Sequence, residues 1–177
     1  PWTSGLPEGR YRFELTGGTE EVVVHGYVQD DQSGWGLGAA WDERIATDVS
    51  NIGLPSTAEA CIAVGAHTGH PANGTEWWFH GVEGENEIRI YSGRGPRIDG
   101  LAKPDIAAPD NPLACFPRWP ENDIEPGAYM VFGGTSGAGP HVAGAAVLLV
   151  QNERDNPAFS ADLIIDALLD GATTDHV

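Results

Sequence analysis

Polar and apolar residues alternate through Arg10-Tyr-Arg-Phe-Glu-Leu15. They return, after Gly17-Gly18, through Glu21-Val-Val-Val-His-Gly-Tyr-Val28. That pattern predicts two strands joined by a tight turn, followed by a loop over Asp30 to Gly38. From Thr57 the texture changes. Cys61-Ile-Ala-Val-Gly-Ala66 and Lys103-Pro-Asp-Ile-Ala-Ala-Pro109 are short apolar runs without alternation, which is how strands buried on both faces read. Between them lie long connections rich in Gly, Pro and Asn, Thr68 to Gly84 and Asp110 to Tyr129. Loops of that length in a compact domain usually shape a ligand site.

Two helices follow. The first begins near Ser136 and continues Ala138-Gly-Pro-His-Val-Ala-Gly-Ala-Ala-Val-Leu-Leu-Val-Gln151, apolar on every side. A helix of that kind is expected to be buried and central, with Pro140 tolerated in its first turn. The second spans Ala161 to Asp170, with Ser160 as N-cap, Asp162 in the first turn and Gly171 as its stop. Its stripe of Leu163, Ile164, Ala167 and Leu168 makes it amphipathic, so it is expected to pack on the outside. The short apolar runs without alternation, taken with these helices, are the signature of an α/β fold.

Composition narrows the function. A chain of 177 residues with 41% hydrophobic residues supports one globular domain. Its formal net charge of -17 repels phosphate backbones and anionic lipids, which argues against nucleic-acid and membrane-surface partners. The longest apolar run, Val142 to Val150, falls far short of the roughly 20 residues that span a bilayer. Cys61 and Cys115 allow one pairing at most and form no metal or redox spacing; Cys61 is expected to be a buried free thiol. The opening Pro-Trp-Thr-Ser-Gly is no leader, and the expectation is a chain cut from a longer precursor.

The segment that carries chemistry is Gly133-Gly-Thr-Ser-Gly-Ala-Gly-Pro-His-Val-Ala-Gly144. Glycines on both sides of a serine let the backbone turn sharply from strand to helix. They place the hydroxyl at the helix N-terminus and aim backbone N–H groups at an incoming carbonyl oxygen. Ser136 is thereby a candidate nucleophile, and the competing reading is a helix cap among small packing residues.

The segment resembles the Gly-Thr-Ser-Met-Ala-x-Pro-His-Val-Ala-Gly nucleophile motif of the subtilisin-like serine proteases, with Gly137 where methionine is usual. Two further blocks occur in that family's order. Pro55-Ser-Thr-Ala-Glu-Ala-Cys-Ile-Ala-Val-Gly-Ala66 is similar to its strand ending in Val-Gly-Ala. Tyr91-Ser-Gly-Arg-Gly-Pro-Arg-Ile-Asp-Gly-Leu-Ala-Lys-Pro-Asp-Ile-Ala-Ala-Pro109 resembles its Ser-Ser-Arg-Gly-Pro…Lys-Pro-Asp-Ile-x-Ala-Pro segment. The resemblance implies that Ser136 is the catalytic nucleophile and that its own N–H is half of the oxyanion hole. It also implies a parallel sheet with flanking helices, a polypeptide substrate and a secreted or extracytoplasmic setting. No cofactor is implied to be required; structural calcium is common in the family, and its ligands here are unassigned. Residues 1 to 54 then read as a β-rich, antiparallel insertion-like segment and 55 to 177 as the C-terminal part of the catalytic domain, the fold being a partial subtilisin-like α/β sheet. His141 corresponds to a structural family histidine, not to the base.

The rest of the machinery is absent from the motifs. The family's order is Asp, His, then Ser. Asp31-Gln-Ser-Gly34 follows a polar stretch rather than a buried strand, and His70-Pro-Ala-Asn-Gly-Thr75 falls after the Val-Gly-Ala strand, where the catalytic histidine does not belong. Asn51-Ile-Gly53 imitates only the tail of the family's oxyanion asparagine setting. The expected partner is therefore the N-terminal half of the same catalytic domain, carrying Asp, His and Asn, and the chain alone is expected to be inactive. The alternative is a non-catalytic binding module on a degenerate scaffold.

Weaker signals point elsewhere. Gly34-Trp-Gly-Leu-Gly-Ala39 mimics a dinucleotide loop, but a polar loop precedes it. A hydrolase elbow at Ser136 would have to recruit Asp155 or Asp166 with His176, near the last residue. His67, His70 and His80 fit no zinc spacing, and Asp30, Asp31, Asp99, Asp105 and Asp110 are oxygen donors with no pattern among them. Trp77-Trp78-Phe79 is expected to anchor its loop on the core.

Overall fold

The computed structural model describes residues 9–28, 39–69, 87–110, 112–115 and 129–173. The chain forms two compact units, Pro1–Trp41 and Asp42–Val177. Within the second, the order is β1 (Val64–His67), β2 (Ile106–Pro109), β3 (Leu113–Cys115), β4 (Tyr129–Val131), α1 (Thr135–Glu153) and α2 (Ala161–Asp170). β1 and β2 run parallel, with Val64 opposite Ile106 and His67 opposite Pro109. Each falls within or at the end of an apolar run that lacked alternation but is shorter than it; β1 is buried or half-buried throughout, whereas Ala107 in β2 is exposed, so β2 is not buried on both faces as expected, because the small sheet covers it on one side only. β3 and β4 pair antiparallel, Leu113 opposite Val131.

The core is small and built from small residues. Ala66 and Ala108 on the parallel strands meet Ala138 and Val142 of α1, and Ile164 and Leu168 of α2 close the far side. Gly137 and Ala138 are both buried, so the first turns of α1 can approach the sheet closely. The segment between the strands is fastened to the same frame. Ser92 Oγ accepts the Ala66 N–H at 3.0 Å. Asn51 and Arg94 brace each other, the Arg94 N–H donating to Asn51 Oδ1 at 2.7 Å and the Asn51 N–H to the Arg94 carbonyl at 3.0 Å. A Cβ at Gly95 would lie 1.7 Å from the Lys103 carbonyl oxygen, so only glycine fits in Arg94-Gly-Pro.

Helix α2 matches its expected bounds, with the Leu163 N–H donating to Ser160 Oγ at 3.1 Å and the Gly171 amide closing the last turn. Helix α1 departs in two ways from what its sequence suggested. It starts at Thr135, straight from Gly134, so Pro140 is its sixth residue and lies in the second turn; the amide that would bond the Ser136 carbonyl is missing. It is also not buried all round. Gly137, Ala138 and Val142 are buried, but Val147 and Leu148 are 64% and 67% exposed, because the small sheet and α2 cover only part of its circumference. Cys61 is half-buried rather than buried, since it lies in the bend ahead of β1 and not in the strand.

In the first unit Gly17 and Gly18 both take positive φ, and the chain bends just after them, at residues 19–20. No strand forms among residues 9–28, and Phe13, Leu15, Val22 and Val23 are exposed. A lone two-stranded hairpin is marginal without a third strand or a packing surface, which accounts for the expected antiparallel segment not forming. The Phe13 and Trp41 rings meet edge to face at 5.7 Å, and Gly26 packs where a Cβ would sit 2.7 Å from the Trp41 ring.

Candidate active site

Ser136 occupies the second position of α1 and is exposed. The turn that puts it there depends on Gly134, whose φ of 83° and ψ of -178° lie in a region essentially reserved for glycine. Having no side chain, Gly134 cannot cap the helix. Its carbonyl accepts the Gly137 N–H at 2.8 Å and the Ala138 N–H at 3.4 Å. The amides of Thr135 and Ser136 have no acceptor among the described residues. Unspent N–H groups at the positive end of a 19-residue helix, beside an exposed hydroxyl, are an anion-receiving arrangement.

The hydroxyl has no base beside it. Among the described residues Ser136 Oγ has no hydrogen-bond partner. His141 lies five residues on, about 140° around the helix axis from Ser136. Its Nδ1 is 3.0 Å from the Gly137 carbonyl, so that nitrogen carries the proton and the ring is tied back along its own helix. Asp31, His70 and His176 lie outside the described residues, as do His80 and Trp77-Trp78-Phe79. Asp155 pairs with Arg154 at the end of α1, and Asp166 is exposed on α2.

Of the aspartates that the sequence offered as oxygen donors, Asp30 and Asp31 lie outside the described residues, and the other three are otherwise engaged. Asp99 is paired with Arg97, Asp105 Oδ2 accepts both the Lys103 ammonium and the Ala63 N–H at 2.6 Å, and Asp110 is paired with Arg89. No cluster of three metal-ligating side chains occurs among the described residues, and no described helix is long and apolar enough to cross a membrane.

A cavity of about 290 Å³ opens beside the elbow, with Asn51, Gly53, Val64, Tyr91, Pro104 and Thr135 on its walls. All three motif blocks therefore meet here. The structure adds a group that the motifs did not reveal. Arg89 and Asp110 form a buried ion pair, Nε to Oδ2 at 2.6 Å and Nη2 to Oδ1 at 3.2 Å, and the Tyr91 hydroxyl also donates to Asp110 Oδ2. Burial first, and the Asp110 carboxylate second, push the Tyr91 phenol well above its ordinary pKa, so it remains a donor. The signal in the sequence was a single arginine inside Ile88-Arg-Ile90, with an aspartate closing the apolar run of β2.

Pyrolysin of Pyrococcus furiosus is 29% identical over 179 residues, covering 98% of this chain and 12% of that protein. Serine protease AprX of Bacillus subtilis is 28% identical over 167 residues, covering 85% of this chain and 35% of that protein. Subtilisin E of Bacillus subtilis is 27% identical over 135 residues, covering 76% of this chain and 27% of that protein. The chain thus spans well under half the length of these relatives. No solved structure matches. Residues 39–176 match the Subtilase family, a stretch that includes the glycine elbow, the exposed serine and the parallel strand pair, and the chain belongs to that family.

Proposed function

We propose that this chain is the C-terminal part of the catalytic domain of a serine endopeptidase, with Ser136 as its nucleophile. The observation that carries the reading is the exposed Ser136 hydroxyl beside unspent amides at the start of α1, behind a glycine held at φ 83°. Ser136 Oγ attacks the carbonyl carbon of a peptide bond while a base takes its proton. The developing oxyanion lies against the Ser136 N–H at the positive end of the helix, where fixed dipoles stabilise it without reorganising. Collapse releases the amine, which takes a proton from the protonated base, and leaves an acyl-enzyme on Ser136 that water then hydrolyses. No cofactor enters this chemistry.

The base and its aspartate come, on this reading, from the N-terminal half of the same domain. Two observations support that partner. No base contacts Ser136 among the described residues, and the uncovered side of α1 carries Val147 and Leu148. A serine hydroxyl without a base is a weak nucleophile near neutral pH, so the chain alone is expected to turn over no peptide. The second reading, a degenerate binding scaffold, draws on Gly137 where the family motif has methionine.

Fluorophosphonate labelling read by intact mass separates the two. The expected result is labelling of the whole catalytic domain at Ser136, none in its Ser136→Ala variant, and none in the chain alone. The serine's loss should cost turnover about 10⁶-fold, the size that subtilisin itself shows for its own serine. Absence of labelling in the folded whole domain selects the binding scaffold.

A further inference from the structure

The buried Arg89–Asp110 pair has no role in the chemistry above, and it is expensive to build. An ion pair whose side chains are 1% and 0% exposed loses its hydration, which good geometry and further hydrogen bonds must offset. Here both guanidinium contacts to the carboxylate are made, and the Tyr91 hydroxyl adds a third donor. Packed apolar side chains would fill the same volume at less cost, but without fixing a direction. The direction fixed is that of two chain segments against β1. The Arg89 N–H donates to the Ala66 carbonyl at 2.9 Å, and the Asp110 N–H donates to the His67 carbonyl at 2.9 Å. Carbonyls of successive strand residues point to opposite edges, so Arg89 lies on one edge of β1 and Asp110, directly after β2, on the other. Their side chains join across the end of the strand and clasp it.

From Asp110 the chain leads to the segment that delivers Ser136. Two residues on, the Pro112 carbonyl accepts the Phe132 N–H at 2.9 Å, one rung beyond the β3–β4 ladder in which Leu113 faces Val131. Only Gly133, Gly134 and Thr135 separate Phe132 from Ser136. Two glycines add little stiffness of their own, and α1 has no side-chain cap to fix where it starts. The place from which the turn departs is therefore set by what holds Phe132. We propose that Arg89 and Asp110 are positioning residues for Ser136: their clasp over β1 roots Pro112, and Pro112 holds the strand end from which the nucleophile turn departs. The proposal rests on the reading of Ser136 as nucleophile.

Removing one partner alone leaves a buried charge unpaired and tests folding more than position. Arg89→Met combined with Asp110→Asn removes both charges, keeps most of the volume and leaves an acceptor for the Tyr91 hydroxyl. In the whole catalytic domain this double variant should lower kcat for a peptide ester, and the rate constant of fluorophosphonate labelling at Ser136, about ten- to a hundredfold. KM should be unchanged, and every molecule should still be labelled at completion. A clasp that served stability alone would lower the fraction that labels and not the rate constant. A double variant that labels at the unsubstituted rate, or one that loses only KM or only the labelled fraction, overturns the proposal.

Amide hydrogen exchange in the same domain reads the hold itself and needs no activity. The Phe132 amide should be protected in the unsubstituted domain and exchange about five- to tenfold faster in the double variant, while the Leu168 amide within α2 keeps its rate. An unchanged Phe132 rate overturns the proposal. An unprotected Phe132 amide in the unsubstituted domain overturns it even if the double variant fails to fold. A Phe132 amide that responds as expected in a domain that no probe labels at Ser136 would instead mark failure of the protease reading, and with it of any nucleophile for the clasp to position.

Discussion

The two ends of α1 are built on opposite terms. At its start, Gly137, Ala138 and Val142 are buried against the parallel strands, and the carbonyl of the residue that launches it accepts the Gly137 and Ala138 amides. Toward its other end, Val147, Leu148 and Val150 are as apolar as anything in the core, yet exposed. A helix that is hydrophobic on every side has stability to gain from cover on every side. On the proposed reading, the difference separates what this chain holds by itself from what its partner covers. The glycine turn ahead of Ser136 is held by contacts within residues 42–177, whereas the far half of the same helix is left uncovered by the described residues; on the proposed reading, the N-terminal half of the domain covers it.

Truncation on the two halves gives the sharpest test of that contrast. Val142→Ala should destabilise the chain and the whole catalytic domain alike, by about 1 to 3 kcal/mol, because Val142 is buried in both. Leu148→Ala should cost the chain within about 0.5 kcal/mol, as exposed positions do, but the whole domain about 2 to 5 kcal/mol if the missing half packs there. Urea unfolding of the four proteins measures both numbers. Equal effects of Leu148→Ala in the two settings would break the comparison and remove the apolar face as an argument for the partner.

A smaller effect tests why the two helix starts differ. α2 is capped by Ser160, whose side chain accepts the Leu163 amide, so Ser160→Ala should cost about 1 kcal/mol in thermal unfolding and leave any activity at Ser136 unchanged. The start of α1 has no side-chain cap to lose. Its first amides are left open, and on the proposed reading that is where a substrate oxygen is received. A loss of activity in Ser160→Ala would show that the start of α1 depends on how α2 is capped.

How much of this could be read from the chain alone follows the same division. Short apolar runs fixed β1 and β2, and the Ser160, Asp162 and Gly171 signals fixed α2 to the residue, because both depend on local sequence. Ser136 was legible because a glycine turn is written in consecutive residues. The Arg89–Asp110 pair was not, since it joins residues 21 apart and its significance lies in burial, which no periodicity reports. The hairpin of residues 10–28 failed for the converse reason. Alternation shows that a strand has two unlike faces, but not that anything waits to cover one of them. The exposure of α1 is the same failure on a helix.

The mildest prediction sets the buried pair under the elbow against an exposed one. Arg97 and Asp99 brace the turn in which the Arg97 N–H donates to the Leu101 carbonyl and Gly100 takes a positive φ. The hydrogen bond from the Arg97 side chain, more than any other cause, lowers the Asp99 pKa to about 2. A carboxylate depressed in the folded state stabilises the fold above its unfolded pKa of about 3.9, and that contribution fades as pH falls toward 2. Asp99→Asn should therefore leave the melting temperature at pH 2 nearly unchanged and lower it slightly at pH 6. Because the pair is at the surface, the gap at pH 6 should shrink further in 1 M salt, where screening reaches within about 3 Å. Melting curves at the two pH values and two salt concentrations check this. A gap that persisted in high salt would mean that the turn depends on the geometry of the Asp99 hydrogen bonds and not on its charge.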